Sequence, residues 1–184
     1  MEEWNANFSE DCSVSLIGMA GAGKSTLAPL LAAKLGWEYI DTDSIIEAYY
    51  GRALQGIVDN LGVPAFRKAE EYLLSSLGVV RTVISTGGSV VYGEKAMERL
   101  KSLGPVIYLH IDCETCIERV GGGEGRGLAR SPGQSLESLY EERASLYEKY
   151  ADFTVDTYKF SPEECAEKVF QWLGSIEKKQ VKDL

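Results

Sequence analysis

The run Gly18-Met19-Ala20-Gly21-Ala22-Gly23-Lys24-Ser25-Thr26 holds the densest chemistry in the chain. Its spacing is that of a phosphate-binding P-loop, in which glycines let the backbone curl until successive N–H groups point inward. On that pattern Gly21, Ala22, Gly23, Lys24, Ser25 and Thr26 cradle the phosphates of a nucleoside triphosphate. Lys24 faces the β- and γ-phosphates, and the Ser25 hydroxyl sits on a magnesium ion. The motif works only between a strand and a helix, because the helix start adds unpaired N–H groups and the positive end of its dipole. The apolar run Val14-Ser15-Leu16-Ile17 before it and the helix-forming stretch Leu27 to Leu35 after it supply that setting.

Further along, Asp41-Thr42-Asp43 sets two carboxylates at i and i+2. They serve either as oxygen ligands near a nucleotide-bound magnesium or as caps for the helix that starts at Ser44-Ile45-Ile46. Thr86-Gly87-Gly88-Ser89 is a glycine turn whose backbone can approach a ligand closely. The segment from Gly121 to Gly133 is too rich in glycine to hold a helix or strand, and it reads as a lid carrying Arg126 and Arg130. Arg143 falls in the middle of the apolar stripe Leu136, Leu139, Tyr140, Leu146, Tyr147, Tyr150. A guanidinium on an inward face needs an anionic partner, either a structural Glu or Asp or the anion of a substrate. Arg67 and Glu70 sit one turn apart beside another apolar face, that of Phe66, Ala69, Leu73 and Leu77.

These groups must be positioned by alternating strands and helices. Strands are expected at Ser13 to Ile17, Glu38 to Asp41, Thr82 to Ser85, Val106 to His110 and Phe153 to Asp156. Helical patterns cover Lys24 to Leu35, Ser44 to Tyr50, Leu54 to Leu61, Val63 to Leu77, Glu94 to Leu103, Glu114 to Val120, Leu136 to Tyr150 and Pro162 to Leu173. Strands separated by helices pair in parallel with helices on both faces, which predicts an α/β fold in three layers, α/β/α. Ligands of such sheets bind beyond the C-terminal strand ends, where the P-loop, the Asp41-Thr42-Asp43 element and the glycine turn all fall.

Composition narrows the partners. A net charge of −9 over 184 residues argues against nucleic-acid backbones and anionic membranes. No apolar run approaches the roughly 18 residues of a membrane span, and the polar start of the chain lacks the layout of a signal peptide, so a cytoplasmic protein is expected. Four cysteines and one histidine make no zinc pattern: Cys116 lies on a helical apolar stripe, and His110 closes a strand as a structural residue.

Taken together and in order, the P-loop, Asp41-Thr42-Asp43, Phe66-Arg67 with Glu70, Ser85-Thr86-Gly87-Gly88, Arg126 in the lid and Arg143 before Tyr147 resemble the shikimate kinase family over roughly Val14 to Thr157. The resemblance implies a nucleoside-monophosphate-kinase-like fold with a five-stranded parallel sheet of order 2-3-1-4-5. It implies a single kinase domain over residues 1–184, with acceptor-binding helices at about 44–77 and a lid at about 121–134. ATP and Mg2+ would be the cofactors, and the γ-phosphate would pass to the 3-hydroxyl of shikimate. Carried over, the resemblance makes Lys24, Asp43 and Arg126 catalytic, with Asp43 also bonding the acceptor hydroxyl. Ser25 and Asp41 would attend the metal, and Arg119 would stack on adenine. Arg67, Gly87, Gly88 and Arg143 would hold the acceptor, with Glu70 fixing Arg67. One such domain needs no partner to close its site, so a monomer is expected. Ser89 stands where the family usually has a third glycine, and Gly127 where it has proline. Both departures touch the acceptor side and leave open another small hydroxy acid such as homoserine, while a non-catalytic regulator on the same fold is a more distant alternative.

Overall fold

Val14–Ile17 (β1) is buried at every position, as are Thr82–Ser85 (β3) and all but the last residue of Val106–His110 (β4). Glu38–Asp41 (β2) and Phe153–Asp156 (β5) are far more exposed. That gradient follows from position: in the computed structural model the five strands form one parallel sheet of order β2-β3-β1-β4-β5, with the buried strands central and the half-exposed ones at the edges. The structure describes residues 12–121, 128–131 and 133–180, with side chains to 176.

The connections are helical, as parallel strands require. Lys24–Leu35 (α1) follows β1, and Thr42–Tyr50 (α2), Leu54–Leu61 (α3) and Val63–Ser75 (α4) join β2 to β3. Glu94–Leu103 (α5) leads into β4, while Cys113–Val120 (α6) and Leu136–Tyr150 (α7) lie between β4 and β5. Pro162–Gln180 (α8) runs beyond the expected Leu173. A short 3₁₀ turn, Val90–Tyr92, absent from the sequence expectation, lies between the glycine turn and α5. Three residues are too few to show a periodic signal.

The core takes two parts. The larger gathers the central strands with α1, α5 and α8 through residues such as Leu16, Leu31, Leu100, Leu109 and Val169. A smaller cluster, Ile46, Ile57, Val58, Phe66 and Ala129, joins α2, α3 and α4 to the chain segment that enters α7. The helices after β2 thus pack on one another, and α4 packs on α5. Among the described residues no helix is long and apolar enough to cross a membrane.

Candidate functional site

Sheet register brings the three motif-bearing strand ends side by side. Asp41 pairs with Ser85 and Leu16 with Ser85 in the ladder, so the loops after β1, β2 and β3 leave the sheet together. Side chains sew these exits: Thr86 Oγ1 donates to the Leu16 carbonyl at 2.8 Å, and the Gly87 N–H donates to Thr42 Oγ1 at 3.1 Å. Beyond them opens a cleft of about 640 Å³, bordered by the P-loop, Asp41, Asp43, Phe66, the Thr86-to-Ser89 turn, Arg119, Leu128, Ala129 and Arg143.

Gly23 is the N-cap of α1, with φ of 91°, a left-handed conformation that a side chain would strain. The turn it makes aims the helix start into the cleft. Within the loop, the Ala22 N–H is engaged by the Met19 carbonyl and the Thr26 N–H by the Gly23 carbonyl. Lys24 is 8% exposed, and its Nζ donates to the carbonyls of Gly18 (2.7 Å) and Met19 (2.8 Å). Burial pulls its ammonium down to about 8, against the attraction of Asp43 and Asp41.

Of the two roles that the sequence left open, the cap belongs to Asp41. Asp41 is the N-cap of α2: its Oδ1 accepts from the Asp43 N–H at 2.9 Å, and its Oδ2 accepts from Ser85 Oγ at 3.0 Å. Asp43, in the first turn of that helix, faces the cleft with a buried Oδ1 that has no protein partner. Burial pushes its carboxyl up to about 6, with repulsion from Asp41 adding and Lys24 opposing.

The acceptor side differs from expectation at one contact. Glu70 makes no ion pair with Arg67; its Oε2 accepts a 2.6 Å hydrogen bond from Ser89 Oγ. The extra side chain at Ser89 therefore folds back onto α4. Burial pushes Glu70 up to about 7 despite that bond, and its Oε1 has no partner. A methyl on Gly87 would lie 2.6 Å from both Asp43 Oδ1 and Glu70 Oε1, so glycine is required there for space, and the two free oxygens converge on one point.

Arg143 is 1% exposed and borders the cleft, where Nη2 donates to the Ala129 carbonyl at 2.7 Å and Nε is unpartnered. Among the described residues no Glu or Asp forms a salt bridge with it. Arg67 is not among the residues bordering the cleft. Its guanidinium lies over the Tyr92 ring, 3.5 Å from the centroid, with Nε also buried and unpartnered.

Arg119 bridges the P-loop to the end of β5, donating to the carbonyls of Gly21 (3.2 Å) and Thr157 (3.4 Å). It borders a second cavity of about 310 Å³ with Ala22, Thr26, Thr157, Phe160 and Pro162. Arg126 and Gly127 lie outside the described residues.

Two tyrosines escaped the sequence reading. Tyr147 is fully buried and donates to the Gly88 carbonyl at 2.7 Å, holding the glycine turn, with Met19 of the P-loop 3.7 Å away. In the sequence it marks the α7 stripe and follows Arg143 in the family pattern, with nothing to show that it holds the glycine turn. Tyr92 belongs to the unforeseen 3₁₀ turn, and no sequence signal pointed to it. Elsewhere the bland readings fit: His110 bonds Asp156 at 2.7 Å across β4 and β5, and Cys116 is a buried free thiol.

Lys24, Asp43 and Glu70 give this cleft a pH signature. The acceptor's kcat/KM should rise as the coupled carboxyls of Asp43 and Glu70 lose protons between about 6 and about 7, and the nucleotide's kcat/KM should fall above about 8 as Lys24 loses its own. Bound phosphates favour the ammonium, so the alkaline limb of kcat should lie at higher pH than that of kcat/KM. Profiles of both parameters check this, and coincident alkaline limbs would separate Lys24 from the phosphates.

Comparison with known proteins agrees with this geometry. The family model described as Shikimate kinase matches residues 20–174. A shikimate kinase of Enterococcus faecalis is 37% identical over 164 residues, covering 88% of this chain and 98% of the relative. One from Thermodesulfovibrio yellowstonii is 36% identical over 162 residues, covering 86% and 93%. The solved shikimate kinase from Acinetobacter baumannii, in complex with shikimate, superimposes with a TM-score of 0.79 at 31% identity, covering 90% of this chain and 95% of that one.

Proposed function

The chain belongs to the shikimate kinase family, and we propose that it transfers the γ-phosphoryl group of ATP to the 3-hydroxyl of shikimate. Membership makes it an ATP-dependent phosphotransferase with an alcohol acceptor. The observation that carries the choice of acceptor is a set of unsatisfied atoms. Four buried polar atoms around the glycine turn lack protein partners: the acceptors Asp43 Oδ1 and Glu70 Oε1, and the donors Arg67 Nε and Arg143 Nε. Buried polar groups are rarely left unpaired, because each costs about 1–3 kcal/mol. A ligand that offers hydroxyls to the two carboxylates and its own carboxylate to the guanidinium groups satisfies the whole set. A hydroxylated acid such as shikimate has both.

Arg143, aided by Arg67, would hold the acid's carboxylate, and Gly87 and Gly88 would leave room for its ring against the turn. Asp43 would accept a hydrogen bond from the reacting hydroxyl and take its proton as the phosphoryl arrives. Lys24 would leave the Gly18 and Met19 carbonyls for the phosphate oxygens, where its charge stabilises a loose, anionic transition state. Transfer then depends mainly on alignment, and a carboxyl near 6 is an adequate base.

The donor set also fits magnesium. The metal would arrive on the nucleotide and keep most of its waters. Ser25, exposed at the start of α1, would ligate it directly. Both oxygens of Asp41 are engaged in capping and in the Ser85 bond, so Asp41 would act through a bound water. The ion would neutralise developing charge on the phosphates. A single kinase domain acting as a monomer in the cytoplasm would suffice for this chemistry.

Ser89 is one of the two departures, with Gly127, that leave homoserine open. With its hydroxyl bonded to Glu70, the turn keeps its backbone for the acceptor, which favours shikimate. A coupled assay for ADP release with shikimate, homoserine, gluconate and nucleoside monophosphates tests the reading. Shikimate should stimulate release far more than the others. Stimulation by homoserine alone would reassign the acceptor, and no stimulation by any of them would favour a non-catalytic regulator.

A further inference from the structure

Arg143, on α7, borders the cleft and Arg67, on α4, does not, yet both guanidinium groups lie over the ring of Tyr92, at 5.4 Å and 3.5 Å from its centroid. Two like charges so near one another need stabilisation. A carboxylate between them would supply it, but would occupy the hydrogen-bonding forks that a substrate's carboxylate must use. The nearest buried carboxylate, Glu70, is instead turned to Ser89. An aromatic face attracts both cations through its quadrupole and takes none of their fork donors, and planar guanidinium groups stack on it especially well.

The ring is held in place from the opposite side. Tyr92 Oη donates to Glu142 Oε1 at 2.6 Å, and Glu142 Oε2 accepts from Gln134 Nε2 at 2.8 Å. Gln134 Oε1 in turn accepts the Ser131 N–H at 3.3 Å. Tyr92 is thus braced by the start of α7 and the segment leading into it, while its face points to the arginines.

We propose that Tyr92 is a positioning residue for acceptor recognition, a neutral π platform that holds Arg67 and Arg143 together while the buried Nε of each stays unpartnered for the acceptor's carboxylate. This rests on the reading of the pocket as an acceptor site. It assigns a recognition role to a side chain that would contact the acid only through the arginines.

Steady-state kinetics on Tyr92→Leu and Tyr92→Phe tests it. Loss of the platform in Tyr92→Leu should raise the KM for shikimate about tenfold, with kcat and the KM for ATP changed by no more than about twofold. Tyr92→Phe keeps the face and loses only the hydroxyl, with its bond to Glu142 and its interaction with Arg143, so it should recover most of that loss. Equal change in both KM values, or no rescue by Phe, would assign Tyr92 a merely structural part. Should Tyr92→Leu fail to fold, phenylalanines with increasing fluorination at position 92 weaken the quadrupole at nearly constant shape. The logarithm of the shikimate KM should climb along that series, and a flat series would overturn the proposal. The unaltered protein separates the two readings. If it failed to turn over shikimate, the pocket reading would fall and this role with it, whereas normal turnover with a KM indifferent to the ring would remove Tyr92 alone.

Discussion

Asp43→Asn should lower kcat by about 10²- to 10⁴-fold while leaving the affinities for ATP and acceptor within a few-fold of the unaltered protein. The replacement is nearly isosteric, and α2 keeps its cap because that belongs to Asp41. What is lost is a carboxylate oxygen, Oδ1, that is buried, unpartnered and beside Lys24. Burial makes it a stronger base than an exposed aspartate, since its carboxyl is pushed up to about 6. It nevertheless stays largely ionised at neutral pH, so base strength and the population of the active form are both served. The sign with pH follows: activity that depends on ionised Asp43 is lost as pH falls through about 6. Residual activity in the Asn variant should lose its dependence on that group. The loose transition state of phosphoryl transfer asks for only late proton removal, which places the loss toward the lower end of that range. Quench measurements of a single turnover, with separate binding titrations, would check it. Single-turnover rates within tenfold of the unaltered protein would remove Asp43 as proton acceptor.

Arg143→Ala should raise the acceptor's KM roughly 30- to 150-fold, the equivalent of about 2–3 kcal/mol for a charge-assisted contact to a carboxylate. The KM for ATP should barely move, because the P-loop and Arg119 form the nucleotide side without it. The side chain is 1% exposed and holds the Ala129 carbonyl, so some loss of thermal stability is expected in addition. Arg143→Lys separates the effects: it retains charge and most of the volume but not the planar fork, and should recover stability more fully than acceptor KM. Equal rises in both KM values for Arg143→Ala would make the residue an element of the scaffold.

Much of this site was legible before any fold was known, for a physical reason. A P-loop needs consecutive residues, so its chemistry is written in one short run. The strands are likewise short apolar runs, and the structure places all five within a residue of their expected bounds. Helix ends were less sharp: α2 starts at Thr42 rather than Ser44, and α8 continues to Gln180, since polar residues can extend a helix whose apolar stripe has already ended. Arg143 was conspicuous because a guanidinium amid Leu139, Tyr140 and Tyr147 contradicts its own stripe.

The misreading of Glu70 shows the limit. Its spacing from Arg67 matches a helical ion pair, yet such a pair is worth only a few tenths of a kcal/mol and yields to a buried hydrogen bond from Ser89, which lies on another element. Tyr92 is a similar case, since it sits in a turn without periodicity and meets arginines from two distant helices. By itself the amino-acid order determined the strands, the phosphate loop and the presence of an acidic and a cationic cluster, because each depends on neighbours along the chain. Only the tertiary fold decided which carboxylate caps and which stays free, which hydroxyl holds Glu70 and which ring bears the arginines. Those choices depend on burial and on contacts between segments far apart in the chain, where the cost of an unpaired polar atom outweighs local preference.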